Sequence, residues 1–571
     1  MTDKLRLALA QANPTVGAIQ ANLALAEQAV ADALAARADL LMFSELFLTG
    51  YFPDDLLFKP RFVADAMAAA EALAEKTRGT GLSVILPSIW QEGAVLTNSV
   101  LVLEDGRITA RRDKHELPND DVFYERRYFT AGPLPEPVIL KGVPIGLPIC
   151  EDIWHEDVMA HLAAHGSELL LCPNGSPYWL DKQATRYRLV RDRVAEHGLP
   201  LVYLNQVGGQ DELVFDGASF AVEPGGHLVA QAKSFAPDFL VMDWHRTADG
   251  WRARSQTVTA LPTPEEAPWQ AAMLGLRDYV EKNGFKSVLF GLSGGIDSAV
   301  VAALAVDALG ADRVHALMLP YHYTSGESLA DAAECAKRLG IRYDVVPIAK
   351  PVEAALAELA PVFGNRAPDL TEENIQSRHR GVYLMAVSNK LGGLLLTTGN
   401  KSEMAVGYAT LYGDMNGAFN PIKDMLKMRV YGLAEWRNRH LPMGALGPAG
   451  EVIPSNIITK APSAELRPNQ TDQDSLPPYP VLDALIEGIV EDELPLAEIV
   501  ARSKGLIDLA LARRIERLIR LAEYKRRQSP PGVKLTRKAF GLGRRYPITN
   551  GYADAHESVE ALPPAISQGL E

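Results

Sequence analysis

"FGLSGGIDSAVVAALA", from Phe290 to Ala305, decides the fold of the second half of the chain. The apolar run SVLF ends at a Ser-Gly-Gly turn, and Asp297 with Ser298 opens an Ala-rich helical stretch. Glycines let main-chain N–H groups close on an anion, and the helix N-terminus adds a favourable dipole. An aspartate at that helix start can hold Mg²⁺ rather than phosphate. A plain strand-to-helix turn capped by Ser or Asp would use the same letters. The whole string, at the carboxyl end of a strand in an α/β pattern, favours phosphate binding. Gly291, Leu292, Ser293, Gly294, Gly295, Ile296, Asp297 and Ser298 make up the expected loop. The lysine of a Walker-type loop is absent,.

Outward from this turn, helices and strands alternate: SVLFGLS, a helix from Asp297, VHALMLP, a helix through LADAAECAKRLG, and RYDVVPI. That order predicts a doubly wound parallel sheet. The stretch from Ala461 to Pro480 is rich in Pro, Asp and Gln and reads as a long functional loop,. TALPTPEEAP, residues 259–268, breaks the pattern and reads as a linker between domains at 1–258 and 269–571,. Before it, LRLALAQANP, ADLLMFSEL, GLSVILPSIW, NSVLVLEDG, VPIGLPICED, SELLLCPNGS and LPLVYLNQVGG read as strands, most ending in residues that suit site loops,.

The bulk numbers narrow the function classes. A chain of 571 residues needs two or three cores,. A net charge of −14 argues against a general binder of nucleic acid or anionic membranes,. Three cysteines, Cys150, Cys172 and Cys335, exclude a disulfide framework and suit a reducing compartment,. The N-terminus lacks a signal-peptide pattern, and no apolar run approaches the roughly 18 residues of a membrane span. The expectation is a soluble cytoplasmic protein.

SGGIDS resembles the pyrophosphate loop of ATP pyrophosphatases, enzymes that adenylate a carboxyl or carbonyl oxygen. ENIQSRHRG, LLLTTGNKSEMAVGYATLYGDMNGAFNPIKDMLK and YKRRQSPPGVKL further resemble the glutamine-dependent NAD synthetases. The resemblance implies a Rossmann-like domain of the adenine-nucleotide α-hydrolase type. It implies ATP contacts at Thr398, Lys427 and Ser463, and deamido-NAD contacts at Asn374, Glu403 and Lys525. Asp297 and Glu403 are the implied Mg²⁺ ligands. Charge building on the α-phosphate during adenylation makes lysines and Mg²⁺ natural stabilisers.

The first half carries its own trio: Glu45 in FSELFLTGY, Lys114 in RRDKHELPND and Cys150 in PIGLPICEDIW. A cysteine nucleophile needs a base, and a developing oxyanion needs a fixed cation. These strings resemble the nitrilase (carbon–nitrogen hydrolase) superfamily over about the first 255 residues, which implies an αββα sandwich. By that resemblance Cys150 attacks the amide of glutamine, Glu45 shuttles the proton and Lys114 stabilises the tetrahedral intermediate. Glu125, Ser176 and Lys182 match supporting or glutamine-binding positions. Where the family usually has a tyrosine after LP-N, this chain has Asp120. Cys172 reads as a small buried hydrophobe.

Together the halves imply ammonia release from glutamine and its capture at an acyl-adenylate, with ATP, deamido-NAD and glutamine as substrates. The resemblance also implies a homo-oligomer and an internal ammonia path. The alternatives are a different ATP-dependent amide ligase, a nitrilase with an accessory domain, or a chain in which one half is a non-catalytic module.

Overall fold

The computed structural model describes residues 3–254 and 257–556. The described chain divides into two compact units, one of residues 3–210 and 214–262, the other of residues 211–213 and 263–556.

The first unit is built on two seven-stranded sheets. In one, the strand Lys4–Gln11 lies between Leu40–Phe43, parallel to it, and Asp238–Thr247, antiparallel to it. In the other, Val143–Gly146, Leu169–Asn174 and Leu201–Asn205 lie side by side, with Phe220–Glu223 following. The run LLLC at the start of strand Leu169–Asn174 shows why the sheets stack. Successive side chains on a strand point to opposite faces. Leu169 and Leu171 accordingly join Leu5, Leu7, Leu9, Met42 and Val102 in a core shared by both sheets. Leu170 and Cys172 join Val158, Leu162, Val190 and Val194, from helices Glu156–Ala164 and Lys182–His197, in a second cluster on the outer face. A strand buried on both faces reads as a continuous apolar run rather than an alternating one. Helices Ile19–Ala35 and Pro60–Glu75 pack against the first sheet. The result is the αββα sandwich, and Cys172 is a fully buried core residue in it.

The second unit centres on a four-stranded, all-parallel sheet in the order Arg342–Val345, Val314–Met318, Val288–Gly291, Leu394–Leu395. From Val288–Gly291 the chain adds strands in one direction, then crosses to the other side with Leu394–Leu395. That reversal is a topological switch point, where open α/β sheets bind ligands beyond the carboxyl ends of their strands. The Ser-Gly-Gly turn follows the switch strand directly. The helix after it, Ile296–Leu309, is almost wholly buried. A second apolar cluster joins helices Tyr479–Ile486, Leu496–Arg502 and Leu509–Leu521 to Met404, Ala405 and Val406.

Helix Glu266–Lys282 begins inside residues 259–268. Pro268 falls in its first turn, where the missing N–H has no helical acceptor to lose. That helix is fastened by charge. Trp269 Nε1 donates to Asp307 Oδ2 at 3.0 Å, and Arg437 grips both Asp307 oxygens at 2.6 and 2.8 Å. Asp307 and Arg437 have no exposed surface. Arg437→Ala strands a buried carboxylate and should destabilise the second unit by about 3–5 kcal/mol. Urea unfolding of the full chain, followed by tryptophan fluorescence, checks this.

Candidate functional site

In the first unit, the ends of separate strands converge on one buried ion cluster. Glu45 follows strand Leu40–Phe43, Lys114 follows Arg107–Asp113, and Cys150 opens the tight turn Cys150–Trp154 beyond Val143–Gly146. Lys114 Nζ donates to Glu45 Oε1 at 2.8 Å and to Glu125 Oε1 at 2.9 Å, and all three side chains are fully buried. Asn98 Nδ2 also donates to Glu45 Oε1, at 2.8 Å, and the Gly175 amide donates to Oε2 at 2.9 Å. The Tyr51 hydroxyl donates to Glu125 Oε1 at 2.8 Å. Each carboxylate therefore has its orientation set by several donors.

The electrostatics follow from burial. Burial works against the Lys114 ammonium, but Glu125 and Glu45 outweigh it and hold its pKa well above the ordinary lysine range. Burial pushes the Glu125 carboxyl up, opposed by Lys114 and reinforced by Glu45. Burial and then Glu45 push the Cys150 thiol well up, while Lys114 pulls the other way. Cys150 thus lies in the field of a carboxylate and an ammonium, with its thiol favoured over the thiolate. Its backbone sits at φ +45°, in the left-handed region that non-glycine residues adopt at strained functional turns,.

One carboxylate that the sequence reading passed over ties this site together. Asp152, two residues past Cys150, accepts from the Ile149 amide at 2.9 Å. It also accepts from the His115 and Glu116 amides, at 3.1 and 2.8 Å, directly after Lys114. Arg186 does the same for Ser176. It is buried, takes the Ser176 carbonyl at 2.7 Å and hydroxyl at 3.1 Å, and pairs with Asp216 at 2.8 Å. Lys182 is buried with its ammonium over Trp154 and Trp179, 4.8 and 5.1 Å from the ring centroids. Asp120 is half-buried, and burial followed by Glu151 pushes its carboxyl up, which sets it beside the Cys150 turn.

In the second unit a cavity of about 680 Å³ opens at the switch point. Gly291, Leu292, Ser293, Gly295, Ile296, Asp297 and Ser298 line it, with Thr398, Glu403, Lys427 and Ser463. Gly294 does not. At φ +80°, an added Cβ there would sit 2.4 Å from the Ser328 carbonyl oxygen, so only glycine lets the turn pack so closely,. Lys427 Nζ lies 2.5 Å from Asp297 Oδ2 and 3.2 Å from Glu403 Oε1. Burial and then Asp297 push the Glu403 carboxyl up against the pull of Lys427. Asn374 and Lys525 do not line this cavity and instead hold the segment 407–410 beside it. Asn374 Oδ1 accepts from Thr410 Oγ1 at 2.9 Å, and Lys525 donates to the Gly407 and Ala409 carbonyls at 2.8 and 2.7 Å. Glu465, from the loop after Ala461, accepts from Ser325 Oγ at 2.8 Å and Ser328 Oγ at 2.9 Å.

The two units define a class: residues 6–252 match the carbon–nitrogen hydrolase family and residues 268–529 the NAD synthase family. The Rhodobacter capsulatus glutamine-dependent NAD(+) synthetase is 52% identical over 555 residues, 97% of this chain and 100% of that protein. The chain belongs to the glutamine-dependent NAD(+) synthetase family. Among solved structures, the Acinetobacter baumannii enzyme in complex with ADP is 38% identical, with a TM-score of 0.76 over 97% of this chain and 100% of that one. The Cytophaga hutchinsonii enzyme, 21% identical, shares the fold at a TM-score of 0.79 over 96% of this chain and 98% of its own. The chain is a carbon–nitrogen ligase by family, and among its described residues no helix is long and apolar enough to cross a membrane.

Burial raises the Asp152 carboxyl from its ordinary value to about 6. The folded chain therefore holds a proton there that the unfolded chain releases near pH 4, and the associated stability is lost as pH rises through about 6. Asp152→Asn keeps the side chain neutral throughout and loses acceptor capacity. The amount by which the wild-type Tm exceeds that of Asp152→Asn should shrink between about pH 4 and pH 7. Calorimetric Tm values across that range check it.

Proposed function

We propose that this chain converts deamido-NAD, ATP, glutamine and water to NAD, AMP, pyrophosphate and glutamate. The observation that carries the reading is the buried Glu45–Lys114–Glu125 cluster beside Cys150, in a chain whose other unit opens a phosphate-loop cavity. Cys150 Sγ attacks the side-chain carboxamide carbon of glutamine, and its proton passes to Glu45. Lys114 faces the oxyanion that forms. Glu45 returns the proton to the departing nitrogen, releasing ammonia, and water cleaves the thioester to glutamate. Glu125 holds Lys114 in place, and Ser176 and Lys182 bind glutamine. A thiol that burial keeps protonated until substrate arrives limits wasteful alkylation and oxidation.

In the second unit the turn from Gly291 to Ser298 cradles the ATP phosphates, with Thr398, Lys427 and Ser463 as further ATP contacts. Asp297 and Glu403 fit a Mg²⁺ ion. They are hard oxygen donors that already converge on one cation, the Lys427 ammonium,. When bound, Mg²⁺ neutralises phosphate charge. Lys427 is held charged by Asp297 and Glu403 against burial and stands ready for the same charge. Asn374 and Lys525 set the wall segment 408–414 against deamido-NAD, which Glu403 also contacts. The domains are taken at 1–258 and 269–571, in a cytoplasmic homo-oligomer. A ligase acting on a different carboxylate finds no supporting observation.

Cys150→Ala tests the division of labour. NAD formation from deamido-NAD and Mg-ATP should be lost with glutamine, by at least about a thousandfold, and retained with excess ammonium. Retained glutamine-dependent synthesis overturns the assignment of Cys150. Asp152→Asn should lower only the glutamine-driven rate, by about ten- to a hundredfold, because it loosens the joint between Cys150 and Lys114.

A further inference from the structure

Helix Glu156–Ala164 leaves the Cys150 turn and carries His161, with His165 one helical turn on at its C-cap. The two imidazoles stack with centroids 3.9 Å apart. Both Nε2 atoms face one oxygen, Glu136 Oε1, at 3.2 Å from His161 and 3.7 Å from His165. His165 Nδ1 lies 2.8 Å from the His161 carbonyl oxygen. A carbonyl can only accept, so Nδ1 carries a hydrogen, and Nε2 is the ring atom left to face a ligand,. Glu136 is also fixed: Arg112 Nε takes its carbonyl at 2.5 Å, and Nη2 takes the Pro137 carbonyl at 3.0 Å.

We propose that Glu136, His161 and His165 form a surface site for a borderline divalent cation, Zn²⁺ above all, with the fourth position open to solvent. The three donor atoms lie within 4.8 Å of one another. Ligands on a tetrahedral Zn²⁺ at about 2.0–2.2 Å stand about 3.3 Å apart, so small side-chain rotations complete the site. Two imidazoles select Zn²⁺, Co²⁺ or Ni²⁺ over Mg²⁺ and Ca²⁺, which prefer oxygen. The bond from His165 Nδ1 to a main-chain carbonyl is the outer-shell contact that fixes a metal-binding tautomer. A second acidic group, His115, Glu116 and Asp157, offers one imidazole and has its closest contacts to that ring at 3.8 and 3.9 Å. It is the weaker candidate. A metal at the first site would staple the segment before strand Val138–Leu140 to the helix that leaves the nucleophile turn.

The test uses the full chain, stripped with chelator and kept in excess Mg²⁺. Zn²⁺ is titrated by calorimetry and Co²⁺ by absorbance. One equivalent should bind with Kd at or below about 100 μM. Co²⁺ should show a visible ligand-field band without sulfur-to-metal charge transfer, which excludes Cys150 as ligand. Zn²⁺ should raise the Tm. His161→Gln and His165→Gln, each compared with wild type in chelator to verify folding, should weaken binding at least about tenfold, and Glu136→Gln should weaken it too. Absence of saturable binding in that range overturns the proposal. So does binding that survives the double histidine variant, or a thiolate charge-transfer band.

Discussion

A lysine ammonium shut away from water is tolerable only where carboxylates surround it, and the first unit is arranged to meet that demand at Lys114. Removing one partner of such a buried set leaves an uncompensated charge, a penalty of several kcal/mol. Glu45 and Glu125 are therefore constrained twice over, by the reaction proposed for them and by the lysine between them. The constraint propagates outward. Asn98, Gly175 and Tyr51 complete the hydrogen bonds of the two carboxylates, and they come from three further places in the sandwich. The packing of the two sheets and the geometry of this ion cluster are thus one problem with one solution.

The second unit meets a similar demand at Lys427. Lys427 is nearly buried between Asp297 and Glu403, above the ring of Tyr479. Each charge in the trio is answered by the others.

Legibility in the sequence differed sharply between these layers. The Ser-Gly-Gly turn, the alternation of helices and strands, and the Glu45, Lys114 and Cys150 strings all lie in local windows, where spacing carries the chemistry. The strand series of the first half and the doubly wound parallel sheet of the second followed from apolar runs such as LLLC and SVLF, whereas the αββα sandwich came from the family resemblance. Asp152 and Arg186 were invisible because they act on main-chain atoms of other segments, and no local spacing announces that Asp152 will meet the amides of residues 115 and 116. Asn98 stands in a strand pattern where an asparagine has many uses. Asn374 and Lys525 were legible as motif members, yet their hold on residues 407–410 depends on contacts made across the fold.

Ser328 has a consequence for packing. Its carbonyl sits where a side chain on Gly294 would have to go, and its hydroxyl holds the carboxylate of Glu465. One residue thus stands against the Ser-Gly-Gly turn with its main chain and holds the loop after Ala461 with its side chain, so the two segments share a single anchor.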